Sequence, residues 1–221
     1  MDVLDRVAGP GGDLLGRVDD LLTTLGAPED HRIWPMLRRV GALPGAAAGW
    51  VAELRPATLS AAGQAVRAPL PTYEDVAASL LTDVDWAGAA ADAARDRRVA
   101  LAERLTGGPE TLTGRLDGTA RYAEELTDWA RRARGGLGRT VVEALGSAEA
   151  VTVLTGETTG GEPNAALAAA EIGARVLACV ADVLDGGVEL LRRFGSELAE
   201  SPTRPVAGGS GRFDDAFRAL E

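Results

Sequence analysis

The chain has 221 residues, with 23 basic and 33 acidic side chains, one histidine and a formal net charge of −10. That length suits one or two domains with room for a real core, and the acidic balance excludes a general nucleic-acid binder, because phosphate contacts need clustered positive charge. The single cysteine, Cys179, excludes a disulfide within the chain and a metal cluster built from thiols.

Lysine is absent, so apart from His31 every basic residue is arginine. Much of the apolar content is alanine, which gives helix propensity and close helix approach but little apolar area. The expected fold is all-α: an elongated helical bundle built on long antiparallel helices. Residues 1–200 are read as one helical domain and 201–221 as a linker and short tail.

Residues 1–12 carry Asp2 and Asp5 and no long apolar stretch, and do not read as a secretory signal. A first helix is predicted to start at Asp13 as N-cap, with Leu14, Val18, Leu21 and Leu25 at helical spacing, and to stop at Gly26 and Pro28. A second covers 30–40, anchored by Trp34 and Leu37, with His31 in its first turn and Pro35 soon after. Pro44 and Pro56 introduce short helices over 45–54 and 57–66, and Pro69 and Pro71 mark a break. Thr72 to Asp75 has the spacing of a capping box for a helix bearing Val76, Leu80 and Leu81. The pattern halts over 83–88 and restarts, with Asp85 a candidate cap. Ala89, Ala90, Ala93, Leu101 and Leu105 mark the next helix, which Gly107-Gly108-Pro109 closes.

From Leu112 to Val151 apolar residues recur at steps of three or four, a stripe of about 60 Å if the helix is continuous. Gly135, Gly136 and Gly138 predict a kink there, or a close crossing by another helix. Arg131, Arg132 and Arg134, diluted by Glu124, Glu125 and Asp128, read as a solvated helix face. A polar loop over 156–162 leads to the most regular heptad, residues 163–200. Its seam is Leu167, Ala170, Ala174, Leu177, Ala181, Leu184, Val188 and Leu191, with Leu198 in register. Leu177, Leu184, Val188 and Leu191 form the candidate interface, expected to pack first against the 112–151 helix and second against another copy. Cys179 lies in an apolar run, where a buried inert thiol is the ordinary reading. The best membrane-span candidate is broken by Asp182 and Asp185, so no transmembrane segment is expected.

No catalytic constellation is legible. A triad or a histidine-based metal site would need His31, and no Ser or Asp pattern surrounds it. A four-helix metal site would need Glu-x-x-His pairs. Gly208-Gly209-Ser210-Gly211 lacks the lysine of a phosphate loop. The expectation is no enzyme and no cofactor. Trp34, Trp50 and Trp129 read as core or interface anchors.

Trp86-Ala87-Gly88 lies between two helices, followed by the run Ala89-Ala90-Ala91-Asp92-Ala93-Ala94. An indole suits a wedge where helices meet, and glycine lets the backbone turn. On that reading Trp86 is mostly buried, and Trp86→Ala costs about 3–5 kcal/mol.

These residues resemble the WXG superfamily of helical proteins handled by type VII (ESX) secretion in actinobacteria. The alanine- and arginine-rich composition is similar too, and the likeness spans about 57–151. It implies an antiparallel hairpin with Trp86 and Gly88 in the bend, and homo- or hetero-dimers of such hairpins. It also implies contact with the secretion machinery. The chain departs from the pattern in carrying helices on both sides and in its cut at Gly107-Gly108-Pro109. The family's export signal is Tyr with an acidic residue four positions on. Tyr73 is followed there by Ala77 and Tyr122 by Leu126, so the nearest approach is Phe217 with Glu221.

Three function classes follow. The first is a helical interaction module linked to type VII secretion, made in the cytoplasm and exported without a cleaved signal. The second is a cytoplasmic helical scaffold that stays inside. The third, a lipid-surface protein, is disfavoured because such helices carry a basic border.

Overall fold

The computed structural model describes residues 1–82, 85–155 and 162–199, the last stretch with side chains to residue 195. In chain order the helices are α1 (Val3–Arg6), α2 (Ala8–Thr24), α3 (Ile33–Val40), α4 (Pro44–Ala52), α5 (Pro56–Arg67), α6 (Leu70–Leu80), α7 (Ala89–Leu105), α8 (Leu112–Leu145), α9 (Ala148–Thr155) and α10 (Glu162–Ala199). No strand occurs among the described residues, so the chain is all-α as its three-and-four apolar spacing requires.

The main core gathers around the first half of α10, which touches α2, α3, α4, α8 and α9. Leu14, Val18, Ile33, Leu137, Ile172, Val176 and Leu177 are sealed there from solvent. Burying each such side chain contributes about 1.5–3 kcal/mol. Two glycines set the spacing. A Cβ on Gly173 would stand 2.8 Å from Ile33 Cδ1 and 2.9 Å from Pro44 Cγ, and one on Gly11 would stand 2.6 Å from Val141 Cγ1. Away from this core, α5 lies along the first half of α8, and α6 packs on α7. The buried positions of α6 and α7 are only Ala77, Ala91 and Ala102, so this part of the molecule is held by thin contacts.

The second half of α10 packs on the first half of α8, and the two run antiparallel. Going up α8, Tyr122 meets Phe194 with ring centroids 5.1 Å apart, Trp129 donates its indole N–H to the Val183 carbonyl at 3.1 Å, and Gly136 faces Cys179 Sγ.

Several boundaries differ from the sequence reading. The first long helix starts at Ala8 and passes through Pro10, Gly11 and Gly12, with Asp13 inside it. Proline at its third residue falls where a helix has no N–H to lose. His31 precedes α3 rather than lying in it; its Nδ1 accepts the Ile33 N–H at 3.1 Å. The Thr72 capping box does not form, because α6 already begins at Leu70 with Pro71 in its first turn. Asp85 caps nothing: α7 starts at Ala89 after Gly88. Helix α8 passes unbroken through Gly135, Gly136 and Gly138 for 34 residues, and ends at Gly146 instead. The glycines serve a crossing: a Cβ on Gly138 would lie 2.9 Å from the Leu4 backbone nitrogen of α1. Ser147 accepts the Ala150 N–H at 3.2 Å and starts α9. Most of the 156–162 loop, Asp83 and Val84, and the whole 201–221 segment with Phe217 and Glu221 lie outside the described residues.

Candidate functional site

The heptad of α10 is present, but its packed seam is offset by one residue. The side that faces neighbours is Ala169, Gly173, Val176, Val180, Val183, Gly187, Leu190 and Phe194. The apolar seam of the sequence is made of side chains, whereas the closest approaches fall on glycine; a Cβ on Gly187 would stand 3.2 Å from the Trp129 ring. In the first half of α10 both seams are covered because helices surround it. In the second half, among the described residues, α8 packs along it and α3 reaches it through the Arg39–Asp185 pair. Leu177 is therefore fully buried, while Leu184, Val188 and Leu191 are 41%, 65% and 58% exposed. Leu167, the first seam residue, is also exposed. The candidate interface is thus one core residue followed by an open apolar stripe.

Trp86 is 53% exposed and is not a buried wedge. The buried positions of α6 and α7 are alanines, which favour close backbone approach and leave no hole of indole size between them. Gly88 has a φ of 105°, one that side chains rarely adopt, and its carbonyl accepts the Asp92 N–H at 3.1 Å.

On another face of the α8–α10 pair lies an open groove of about 670 Å³. Ala133, Gly136, Cys179 and Gly186 give it a floor of small side chains, with Trp129 at one end. Arg132 and Arg139 line it from α8, Asp182 and Glu189 from α10. Glu143 on α8 and Arg175 and Arg193 on α10 line it too, so both walls carry charges of mixed sign. Burial pushes the Cys179 thiol above its ordinary range, against a weaker opposing hydrogen bond from Thr140, so it is a poor nucleophile.

Two polar constellations brace the fold. Arg134 is buried, and this corrects its reading as part of a solvated face; Arg131 and Arg132 are exposed. Its Nε donates to Asp2 at 2.6 Å, and its guanidinium also donates to Asp5 and to the carbonyls of Ala52 and Leu54. Ala52 needs this donor, because the residue four positions on is Pro56, which has no N–H. The Arg134 guanidinium holds the Asp2 carboxyl below the usual carboxylate range. In the second constellation His31 Nε2 donates to Glu171 at 3.1 Å while its Nδ1 accepts from Ile33, so both ring nitrogens are engaged. Arg32 and then His31 lower the Glu171 carboxyl. Among the described residues no group of three or more His, Cys, Asp or Glu is placed to hold a metal ion, and no helix is long and apolar enough to cross a membrane.

Comparison with protein-family models, curated proteins and solved structures finds no match to this chain. The functional reading therefore rests on the surfaces just described. The structure leaves open to solvent Trp86 at the α6–α7 connection and the stripe Leu184, Val188 and Leu191. Sequence reasoning missed the Arg134 anchor; the signal available was Pro56, four positions after a carbonyl that must then find another donor.

Proposed function

We infer that the chain is a non-enzymatic helical interaction module linked to type VII (ESX-like) secretion, acting as a substrate or as the partner of a secreted protein. The observation that carries this reading is Trp86 standing 53% exposed in the connection between α6 and α7, two residues before a glycine at positive φ. An indole in that position is a large apolar surface that the described residues cover only by about half, and such residues anchor protein interfaces. On this reading the Trp-X-Gly connection is a docking element for a helical partner.

A second reading, a helical adaptor that is not exported, is favoured by the proportions of the hairpin. Its arms are short, 11 residues in α6 and 17 in α7, and the large core lies elsewhere. The test expresses the tagged full chain in a host carrying a type VII system and in the same host with the secretion ATPase disabled. Appearance in the culture supernatant of the first alone supports the module; retention in the pellet of both supports the adaptor. Trp86→Ala should leave thermal stability within about 0.5 kcal/mol of the parent, as for an exposed side chain, and abolish export or partner capture. A loss of about 3 kcal/mol would return Trp86 to the core.

A further inference from the structure

The open stripe on α10 has a charge pattern along one edge. With about 100° per residue, Leu184, Val188 and Leu191 share one face, and Asp185 and Arg192 lie together on the edge of it that faces away from α8. Asp185 is three residues before Val188 and Arg192 four after it, so the acid and the base sit on either side of the stripe's centre. Helix α3 stops at Val40, with Arg39 paired to Asp185, and beyond this point its cover ends.

We propose that this stripe is a self-association surface that takes a second copy of the chain, α10 against α10 in antiparallel orientation about a twofold axis at Val188. In that arrangement Leu184 meets the partner's Leu191, Val188 meets the partner's Val188, and Asp185 faces the partner's Arg192. The symmetry makes each contact twice. Antiparallel helices bring like edges together, so the edge holding both charges meets itself with the sequence reversed. A parallel copy brings unlike edges together and leaves both charges without this partner. Charge complementarity therefore selects the orientation. The charges already engaged in the chain extend the pattern: Arg39 holds Asp185 and Glu189 holds Arg192, so Arg39, Asp185, the partner's Arg192 and the partner's Glu189 alternate in sign along the edge. Gly195, exposed and with open space at its Cβ position, prolongs the stripe without blocking approach. The patch is short beside a standard interface, so the association is weak and reversible.

The proposal names a partner for the interaction-module reading but does not depend on export. A chain that is secreted yet never pairs overturns only this proposal, and a chain that pairs yet stays in the cell overturns only the other. Sedimentation velocity on the purified full chain, over a concentration series into the high micromolar range, is the experiment. The parent should show a monomer–dimer equilibrium, and Val188→Glu should weaken it at least tenfold with an unchanged melting curve. Asp185→Arg, which sets a like charge against the partner's Arg192, should weaken it as well. A parent that stays monomeric throughout, or a Val188→Glu or Asp185→Arg variant that pairs like the parent, overturns the proposal.

Discussion

Arg134 offers the sharpest test of how the first helix is held. Replacing it with methionine keeps the length of the side chain and removes its donors. The lost contacts are the ion pairs to Asp2 and Asp5 and the bonds to the carbonyls of Ala52 and Leu54. The side chains of Asp2 and Asp5 are 40% and 44% exposed and return to water, so their share is discounted to about 1 kcal/mol. Each carbonyl left short of a donor costs about 1 kcal/mol, the low end because water reaches this edge of α4. The sum is about 3 kcal/mol, or about 6–12 °C in melting temperature for a chain of this size. Hydrogen exchange should rise in residues 2–7 and at the α4–α5 junction, and far less in α10. The pH dependence has a sign. The folded state holds Asp2 below its ordinary value of 3.8, so its stabilisation is complete above that value and lost as pH falls through the lower folded one. Chemical denaturation of parent and variant should therefore converge as pH drops from neutral into that acid range. A variant that melts with the parent, or a gap that widens in acid, refutes this account of the anchor.

The remaining predictions concern spacing and burial. Gly173→Ala should destabilise by about 1–3 kcal/mol in urea melts, because its Cβ meets the rigid Pro44 ring at 2.9 Å. Gly195→Ala, with nothing within 4 Å, should stabilise α10 by up to about 1 kcal/mol; equal effects from the two would refute the close approach. Asp19 accepts the Gly45 N–H at the start of α4, yet burial holds its carboxyl above the ordinary range. A raised folded pKa means its ionised form is disfavoured, and its contribution to stability falls as pH rises through that value. Asp19→Asn keeps the acceptor and should match or exceed the parent at neutral pH, while Asp19→Ala should lose about 1 kcal/mol with the cap. Denaturation at neutral pH separates these, and an asparagine variant as weak as the alanine one would be the contrary result.

The seam of α10 shows where sequence reading stops. Spacing made a 163–200 helix with an apolar heptad legible, and α10 covers Glu162–Ala199. It did not show which of two adjacent seams is packed, because glycine at 173 and 187 counts as a gap in an apolar pattern but as the point of nearest approach in a packed helix. Trp86 failed for the related reason that a residue's size says nothing about whether its neighbours leave a hole. Arg134 failed because its partners, Asp2, Asp5 and the carbonyl orphaned by Pro56, are remote in the chain.

The sequence by itself determined the all-helical class and most helix ends through proline and glycine, since both follow from backbone preferences local to a few residues. The tertiary structure alone decided which faces are covered. That depends on where α3 and α4 end along α10, and so only three-dimensional packing leaves Leu184, Val188 and Leu191 in the open while Leu177, about two turns before Leu184, is sealed.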